Sequence, residues 1–251
     1  MNDLNKKTIL ITGASRGIGR AIALILAESG ARVAVNYRQS AKEAADAVKE
    51  IKKRGGDAMA VKADVSKSSE VEKMVKEVIK KFGGIYALVN NASASLDYKK
   101  FTDIDWVDFQ KHFEVQIHGA FNTVKAVLPH MLAKNKGVIV NIASEITFGD
   151  PGSDISGYAV AKYGLLGLTR TLAGELAKHK IRVNSVSPGL VDTDLVKKLP
   201  RIAKEIMAKQ TPLGRLATPE DVAKAVRFLI SDDSEFITGI NLPVCGGSSM
   251  Q

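Results

Sequence analysis

The chain has 251 residues, of which 45% are hydrophobic and 25% charged, and it carries one cysteine, Cys245. This composition is that of a globular domain and excludes a largely disordered chain, while the length suffices for one large α/β domain. The single cysteine excludes an intrachain disulfide and a cysteine-cluster metal site, and without an apolar leader or about 18 consecutive apolar residues we expect a cytoplasmic protein with no membrane partner.

The net charge of +9 and the pI of about 9.5 raise the question of nucleic-acid binding, which uses clustered lysines and arginines. The lysines instead alternate with glutamates in helical segments such as "KEAADAVKEIKKR" and "VEKMVKEVIKKF". That pattern is typical of solvated helix faces. We therefore expect no nucleic-acid partner, although the surplus charge would suit an acidic or phosphorylated one.

In chain order, short β-branched segments alternate with longer helical patterns. Strands are predicted at "TILIT", "RVAVNY", "AMAVKA", "IYALVN", "GVIVNIA", "IRVNSVSP" and "INLPV", and helices within 16–30, 41–54, 68–82, 103–134, 157–179, 194–209 and 219–230. The strands are continuously apolar, which indicates a parallel sheet buried on both faces. The sequence therefore predicts one domain, residues 1–251, with a doubly wound α/β sheet that binds ligands beyond the carboxyl ends of its strands.

The first strand leads into "TGASRGIGRAIA", in which Gly13, Gly17 and Gly19 open a helix. Glycines at this place let the backbone turn sharply and approach a pyrophosphate at the helix N-terminus. The turn lacks the Gly-Lys-Ser/Thr of a phosphate loop, so we do not expect an NTPase. The second strand ends in "AVNYRQS", with Arg38 and no acid for the ribose hydroxyls, and Arg16 reaches toward the same place. We therefore predict NADP(H) as the cofactor.

Tyr158 and Lys162 lie one helical turn apart in "SGYAVAKYG", a spacing for which chance alone gives roughly half a match in such a chain. Its context is a series of motifs in chain order: "TGASRGIG", "ADVS", "NNAS", "NIAS", "YAVAK" and "SPGLVDT". Over essentially the whole chain, this series resembles the short-chain dehydrogenase/reductase family. The resemblance implies a Rossmann-type fold and an oxidoreductase that uses a nicotinamide cofactor.

The resemblance implies a catalytic set of Ser144, Tyr158 and Lys162, with no metal. Tyr158 would protonate the alkoxide left by hydride transfer, Ser144 would bind the developing oxyanion, and Lys162 would lower the pKa of the phenol. Besides Tyr158 and Lys162, the cofactor would contact the glycine turn, three strand ends and the Pro-Gly segment. These positions are Gly13, Ser15, Arg16, Gly17, Ile18, Gly19, Asn36, Tyr37, Arg38, Asp64, Val65, Asn91, Ala92, Pro188, Gly189, Val191 and Thr193.

The C-terminal segment from "TPLGRLATPEDV" to "INLPVCGG" is similar to that of 3-oxoacyl-acyl-carrier-protein reductases and their near relatives. We therefore predict an NADPH-dependent carbonyl reductase of fatty acid biosynthesis, whose substrate is a 3-oxoacyl thioester, either small or bound to an acyl carrier. Three alternatives stay open: a sugar or polyol dehydrogenase, an enoyl thioester reductase, and a cofactor-binding homologue without turnover.

The family also implies a homotetramer and a substrate lid around residues 194–210. The tetramer would be built by the helix that carries Tyr158 and by the end of the chain. The apolar face of Leu165, Leu168 and Leu172 fits helix pairing, and it fits packing on the sheet equally well.

Two departures from the family pattern lie near the expected substrate. Ser93 replaces a glycine beside the nicotinamide half of the cofactor. Ser144 and Tyr158 are 14 positions apart, one more than is usual, and we expect the extra residue to bulge in the loop. This loop carries Glu145, Asp150 and Asp154, which would suit a hydroxyl-rich or cationic substrate better than an acyl chain.

A third departure is Gln116, in the place of an asparagine that, in the family, holds a water beside the lysine. Its longer stem would hold or displace that water, so we predict a proton relay that is weakened but not abolished. His112, His118, His130 and His179 show no metal-ligand grouping, and we assign them no chemistry.

Overall fold

The computed structural model describes residues 4–149, 151–193 and 201–249. The strands are β1 (Thr8–Ile11), β2 (Arg32–Tyr37), β3 (Asp57–Lys62), β4 (Ala87–Asn90), β5 (Gly137–Ile142), β6 (Ile181–Pro188) and β7 (Asn241–Val244). They form one parallel sheet in the order β3-β2-β1-β4-β5-β6-β7. The predicted doubly wound parallel sheet is confirmed.

The helices that flank the sheet are α1 (Gly17–Glu28), α2 (Ala41–Lys53), α3 (Ser68–Phe82), α4 (Trp106–His112), α5 (Gly119–Lys134), α6 (Ser156–Leu176), α7 (Arg201–Gln210) and α8 (Pro219–Ile230). The predicted helical region 103–134 divides into α4 and α5 around a π-helical turn, Phe113–His118. Of the predicted lid, residues 194–200 lie outside the described part of the chain, and α7 covers the rest. None of the described helices is long and apolar enough to cross a membrane.

Apolar side chains cover both faces of the sheet, which is why the strands show no polar alternation. On one face, Ile9 and Ile11 of β1 pack with α1, α2 and α8. On the other face, Leu10 packs with α3, α5 and the C-terminal part of α6. Burial of each such side chain contributes about 1.5–3 kcal/mol, so these two cores fix the helices against the sheet.

A chain of buried polar groups crosses the centre of the sheet and ties α5 to α6. The Thr123 hydroxyl donates to Asn90 Oδ1 (2.7 Å), Asn90 Nδ2 donates to Asn141 Oδ1 (2.9 Å), and Asn141 Nδ2 donates to Thr169 Oγ1 (2.9 Å). A buried amide left without a partner costs about 1–3 kcal/mol, so the four residues specify one another. Because Thr169 lies on α6, this chain helps to fix the helix that carries Tyr158 and Lys162.

The strand order reverses between β1 and β4, and the loops that follow these two strands meet at the carboxyl edge of the sheet. The Thr12 hydroxyl accepts from the backbone N–H groups of Asn91 and Ala92, each at 3.0 Å. A reversal of this kind opens a crevice in which doubly wound sheets bind their ligands.

Candidate active site and cofactor cleft

The glycine turn after β1 has a backbone that only glycine accommodates well. Gly13 and Gly17 have φ angles of +61° and +55°. A Cβ at Gly19 would lie 2.5 Å from both Asn91 Nδ2 and the carbonyl oxygen of Gly13. Because α1 begins at Gly17, its N-terminal amides are directed toward the crevice, where an anion is stabilised. The turn therefore fits the pyrophosphate of a dinucleotide.

Two side-chain amides support this turn, one from the buried Asn36 and one from the partly buried Asn91. Asn36 Oδ1 accepts from Gly13 N (3.2 Å), while Asn36 Nδ2 donates to the carbonyl oxygen of Ala63 (3.1 Å). Asn91 Nδ2 donates to the carbonyl oxygens of Thr12 (2.9 Å) and Gly13 (3.0 Å). The predicted cofactor residues Asn36 and Asn91 thus use their amides to support the turn.

The ends of β2 and β3 form the wall where a ribose phosphate would lie. Arg38, with 56% of its side chain exposed, faces Asp64 at an N–O distance of 3.8 Å. Asp64 Oδ1 accepts from the backbone and the hydroxyl of Ser66 (3.1 and 2.8 Å). An ion pair this long and exposed contributes little, so the guanidinium is available to a phosphate.

The opposite wall of the cleft is formed by the segment that follows β6. Gly189 is fixed by a hydrogen bond from its N–H to the carbonyl oxygen of Val244 (3.0 Å). Thr193 lies across from the glycine turn, with its Cγ2 3.8 Å from the position of a Cβ on Gly17. A cavity of about 390 Å³ opens between the turn and this wall, lined among others by Arg16 and Asp192.

The predicted cofactor residues therefore lie on one edge of the sheet. Gly13, Ser15, Arg16, Gly17, Ile18 and Gly19 follow β1; Asn36, Tyr37 and Arg38 end β2; Asp64 and Val65 follow β3; Asn91 and Ala92 follow β4; Pro188, Gly189, Val191 and Thr193 end or follow β6. The arrangement fits an extended dinucleotide.

Ser144, Tyr158 and Lys162 come together at the carboxyl end of β5. Ser144 lies near enough to the Tyr158 phenol for its hydroxyl to lower the pKa of that phenol. Lys162 is buried, donates from Nζ to the carbonyl oxygen of Ile142 (2.7 Å), and lies 5.5 Å from the centre of the Tyr158 ring. The 14-residue spacing thus still places Ser144 beside Tyr158.

Hydrogen bonds hold the loop that follows Ser144. After Ser144 the chain forms a 3₁₀ turn, Glu145–Phe148. The Tyr163 hydroxyl donates to the carbonyl oxygens of Ile146 (3.1 Å) and Gly149 (3.2 Å). The Thr147 hydroxyl donates to the carbonyl oxygen of Ser144 (2.7 Å), so the loop holds Ser144 in place.

The pKa of Tyr158 departs from the sequence prediction. Burial raises the pKa of this phenol above its usual value, and the neighbouring Ser144 hydroxyl opposes that rise. Burial also lowers the pKa of Lys162 to about 7, so a full positive charge is not maintained at neutral pH. The predicted net lowering of the phenol pKa is wrong for this structure, because desolvation is the largest influence on the phenol.

A histidine beside Tyr158 was missed. His112 is buried with its ring centroid 5.8 Å from that of Tyr158, in an edge-on contact. Its Nδ1 lies 3.1 Å from Nε2 of the buried Gln116, and Gln116 Oε1 has no hydrogen-bond partner among the described residues. His112 therefore lies against the candidate site, and the prediction that it carries no chemistry stays a prediction. The spacing of His112 and Gln116, four positions on a helix, was the available signal.

Two further expectations concern Ser93 and metals. Ser93 is exposed, and its hydroxyl donates to the carbonyl oxygen of Ala94 (3.1 Å). In the part of the chain that the structure describes, no group of three or more His, Cys, Asp or Glu residues is placed to hold a metal ion.

Known proteins resemble this chain in sequence over nearly its whole length. A family model described as enoyl-(acyl carrier protein) reductase matches residues 13–249. The 3-oxoacyl-[acyl-carrier-protein] reductase FabG of Staphylococcus epidermidis is 42% identical over 247 residues, which cover 97% of this chain and 99% of that protein. The 3-oxoacyl-[acyl-carrier-protein] reductase of Synechocystis is 40% identical over 252 residues, covering all of both chains.

A solved structure is also similar. A mutant of a Serratia marcescens short-chain dehydrogenase/reductase superposes with a TM-score of 0.91 at 30% identity, and the match covers 98% of this chain and 99% of that one. The matches extend over the strands and loops that form the cleft. The chain belongs to the short-chain dehydrogenase/reductase family.

Proposed function

We propose that this protein is an NADPH-dependent reductase that converts a 3-oxoacyl thioester to the 3-hydroxyacyl product. The observation that carries the proposal is the placement of Ser144 and Tyr158 beside the buried Lys162, at the edge where the cofactor residues converge. Relatives that are 40–42% identical over nearly their whole length are 3-oxoacyl-[acyl-carrier-protein] reductases, which supports this substrate class.

The residues of the cluster divide the chemistry between them. NADPH supplies the hydride when bound. Ser144 holds the carbonyl oxygen by a hydrogen bond that strengthens as negative charge develops. Tyr158 donates the proton, and its raised pKa keeps the phenol protonated at neutral pH, as an acid in the reducing direction requires. Lys162, anchored on β5, orients the cofactor ribose and the phenol.

The choice of NADPH over NADH is supported by charge. At the end of β2, where an acidic residue would accept from ribose hydroxyls, the chain has Arg38, and Arg16 lies exposed at the start of α1. A phosphate on the ribose would bind these guanidinium groups through charge-assisted hydrogen bonds.

We also propose a homotetramer in which α6 pairs through its exposed side and not through its leucine face. Leu165 is only 2% exposed, and Leu172 packs against the core beneath the sheet. The leucine face is therefore internal, because it covers the sheet. The exposed side of α6 carries Val160 and Tyr163, with exposed fractions of 45% and 43%, and this side is the candidate for helix pairing.

The test is a substrate panel assayed by NADPH oxidation, with an acetoacetyl thioester, an enoyl thioester, a sugar and a polyol. We expect the acetoacetyl thioester to be reduced fastest, and Tyr158→Phe to abolish its reduction while NADPH binding is retained. Tyr86→Phe, at the opposite edge of the sheet, is the matched control and should keep full activity. Preference for another member of the panel, or activity in Tyr158→Phe, would overturn the proposal.

A further inference from the structure

A carboxylate stands beside the catalytic pair without an assigned role. Glu145 follows Ser144 directly and begins the 3₁₀ turn Glu145–Phe148. Its Oε2 accepts a hydrogen bond from the Ser248 hydroxyl, and it lies 3.0 Å from the position that a Cβ on Gly189 would occupy. Glu145 therefore lies between the catalytic serine, the Pro-Gly wall and the C-terminal segment.

Glu145 carries its charge without an ion pair in the part of the chain that the structure describes. Among the described residues, no lysine, arginine or histidine lies within ion-pair distance of Glu145. The Tyr158 phenol lies close enough to sense it: burial is the main cause of the raised pKa of Tyr158, and the negative charge of Glu145 adds to it. A partly buried, unpaired carboxylate interacts more strongly with a ligand than one in bulk water.

We propose that Glu145 is a specificity-determining residue, whose carboxylate accepts a hydrogen bond from a donor on the substrate and excludes substrates that carry a carboxylate near the reacting carbonyl. Ser248 holds one carboxylate oxygen, which leaves the other for the substrate. The inference rests on the proposed function, since the donor would be an amide N–H of the thioester arm.

The test uses three related ketones: the N-acetylcysteamine thioester of acetoacetate, ethyl acetoacetate and acetoacetate itself. The first offers an amide N–H, the second is neutral without a donor, and the third carries a carboxylate. Glu145→Gln removes the charge but keeps an acceptor, and Glu145→Leu removes both. Glu77→Gln, on the exposed face of α3, is the matched control.

We expect Glu145→Gln to raise kcat/KM for acetoacetate relative to ethyl acetoacetate by at least about tenfold, because a like charge in the cleft is removed. Glu145→Leu should lower the preference for the thioester over the ester by about five- to tenfold, because the acceptor is lost. Glu77→Gln should change neither ratio. Unchanged ratios in both Glu145 variants would overturn the inference, as would an effect confined to the Kd of NADPH.

A measurement without turnover separates this inference from the proposed function. If the wild type reduces none of the three ketones, the proposed function fails, but the position of Glu145 can still be tested. The ring carbon signal of Tyr158, assigned by its loss in Tyr158→Phe, is titrated by NMR. Glu145→Gln should lower the titration midpoint, and an unchanged midpoint would overturn the placement of the carboxylate beside the phenol.

Discussion

Replacing Lys162 by methionine should make the protein more stable while it destroys activity. Burial lowers the pKa of this lysine from an ordinary value of 10.5 to about 7. At about 1.4 kcal/mol per pKa unit, this difference disfavours the folded state by ~5 kcal/mol at pH 7 or below. Methionine has a similar length but leaves the Ile142 carbonyl without its donor, which costs about 1–3 kcal/mol. We expect a net stabilisation of about 2–4 kcal/mol at pH 7.

The pH dependence distinguishes this cause from improved packing. Between pH 7 and 10.5 the unfolded chain binds the Lys162 proton and the folded chain releases it, so wild-type stability rises with pH. The advantage of Lys162→Met should therefore shrink by about 2 kcal/mol between pH 7 and pH 9. Urea unfolding without NADPH, followed by circular dichroism at several pH values, measures it. Lys76→Met on exposed α3 is the control, and an advantage that is absent or constant with pH would refute the reasoning.

Three other predictions concern the cofactor, the relay and assembly. Arg38→Ala should weaken NADPH binding by roughly 1.5–3 kcal/mol and leave NADH binding nearly unchanged, as measured by fluorescence titration; equal losses would contradict the phosphate assignment. Gln116→Asn should leave kcat unchanged or raise it, and Gln116→Ala should lower it, while both reduce the free energy of unfolding by about 1–3 kcal/mol because the bond to His112 is lost. If the wild type and both variants bind NADPH but reduce no substrate, the protein is a cofactor-binding homologue without turnover. Light scattering at micromolar concentration should give a tetramer mass, and a monomer mass would count against the assembly.

The sequence was sufficient for the strands and for the glycine turn. Continuous apolar segments such as β1 and β5 have one physical explanation, a sheet covered on both sides, and the two cores confirm it. At Gly13 and Gly17 the residue type reports a local constraint, since both have a positive φ angle that favours glycine. Such constraints act over a few residues and can be recognised without knowing the tertiary structure.

What the sequence did not predict depends on contacts between distant segments. The pKa of Tyr158 follows from how deeply α6 and its neighbours bury the phenol, which no local pattern expresses. The position of His112 beside Tyr158 depends on the packing of α4 against α6, which no local pattern expresses. The direction of Leu165 was undecided in the sequence, because an apolar helix face looks the same whether it covers a sheet or a partner helix.

The amides beneath the glycine turn have a consequence for engineering. Asn36 and Asn91 hold the turn by hydrogen bonds, whereas Arg38, which we propose binds the ribose phosphate, is largely exposed and lies 3.8 Å from Asp64. In this proposal, pyrophosphate binding and the choice between NADPH and NADH therefore depend on separate side chains. A library confined to residues 37–39 should interconvert cofactor preference while the melting temperature stays nearly constant, so this scaffold is suited to matching a reductase to whichever nicotinamide pool a production host supplies.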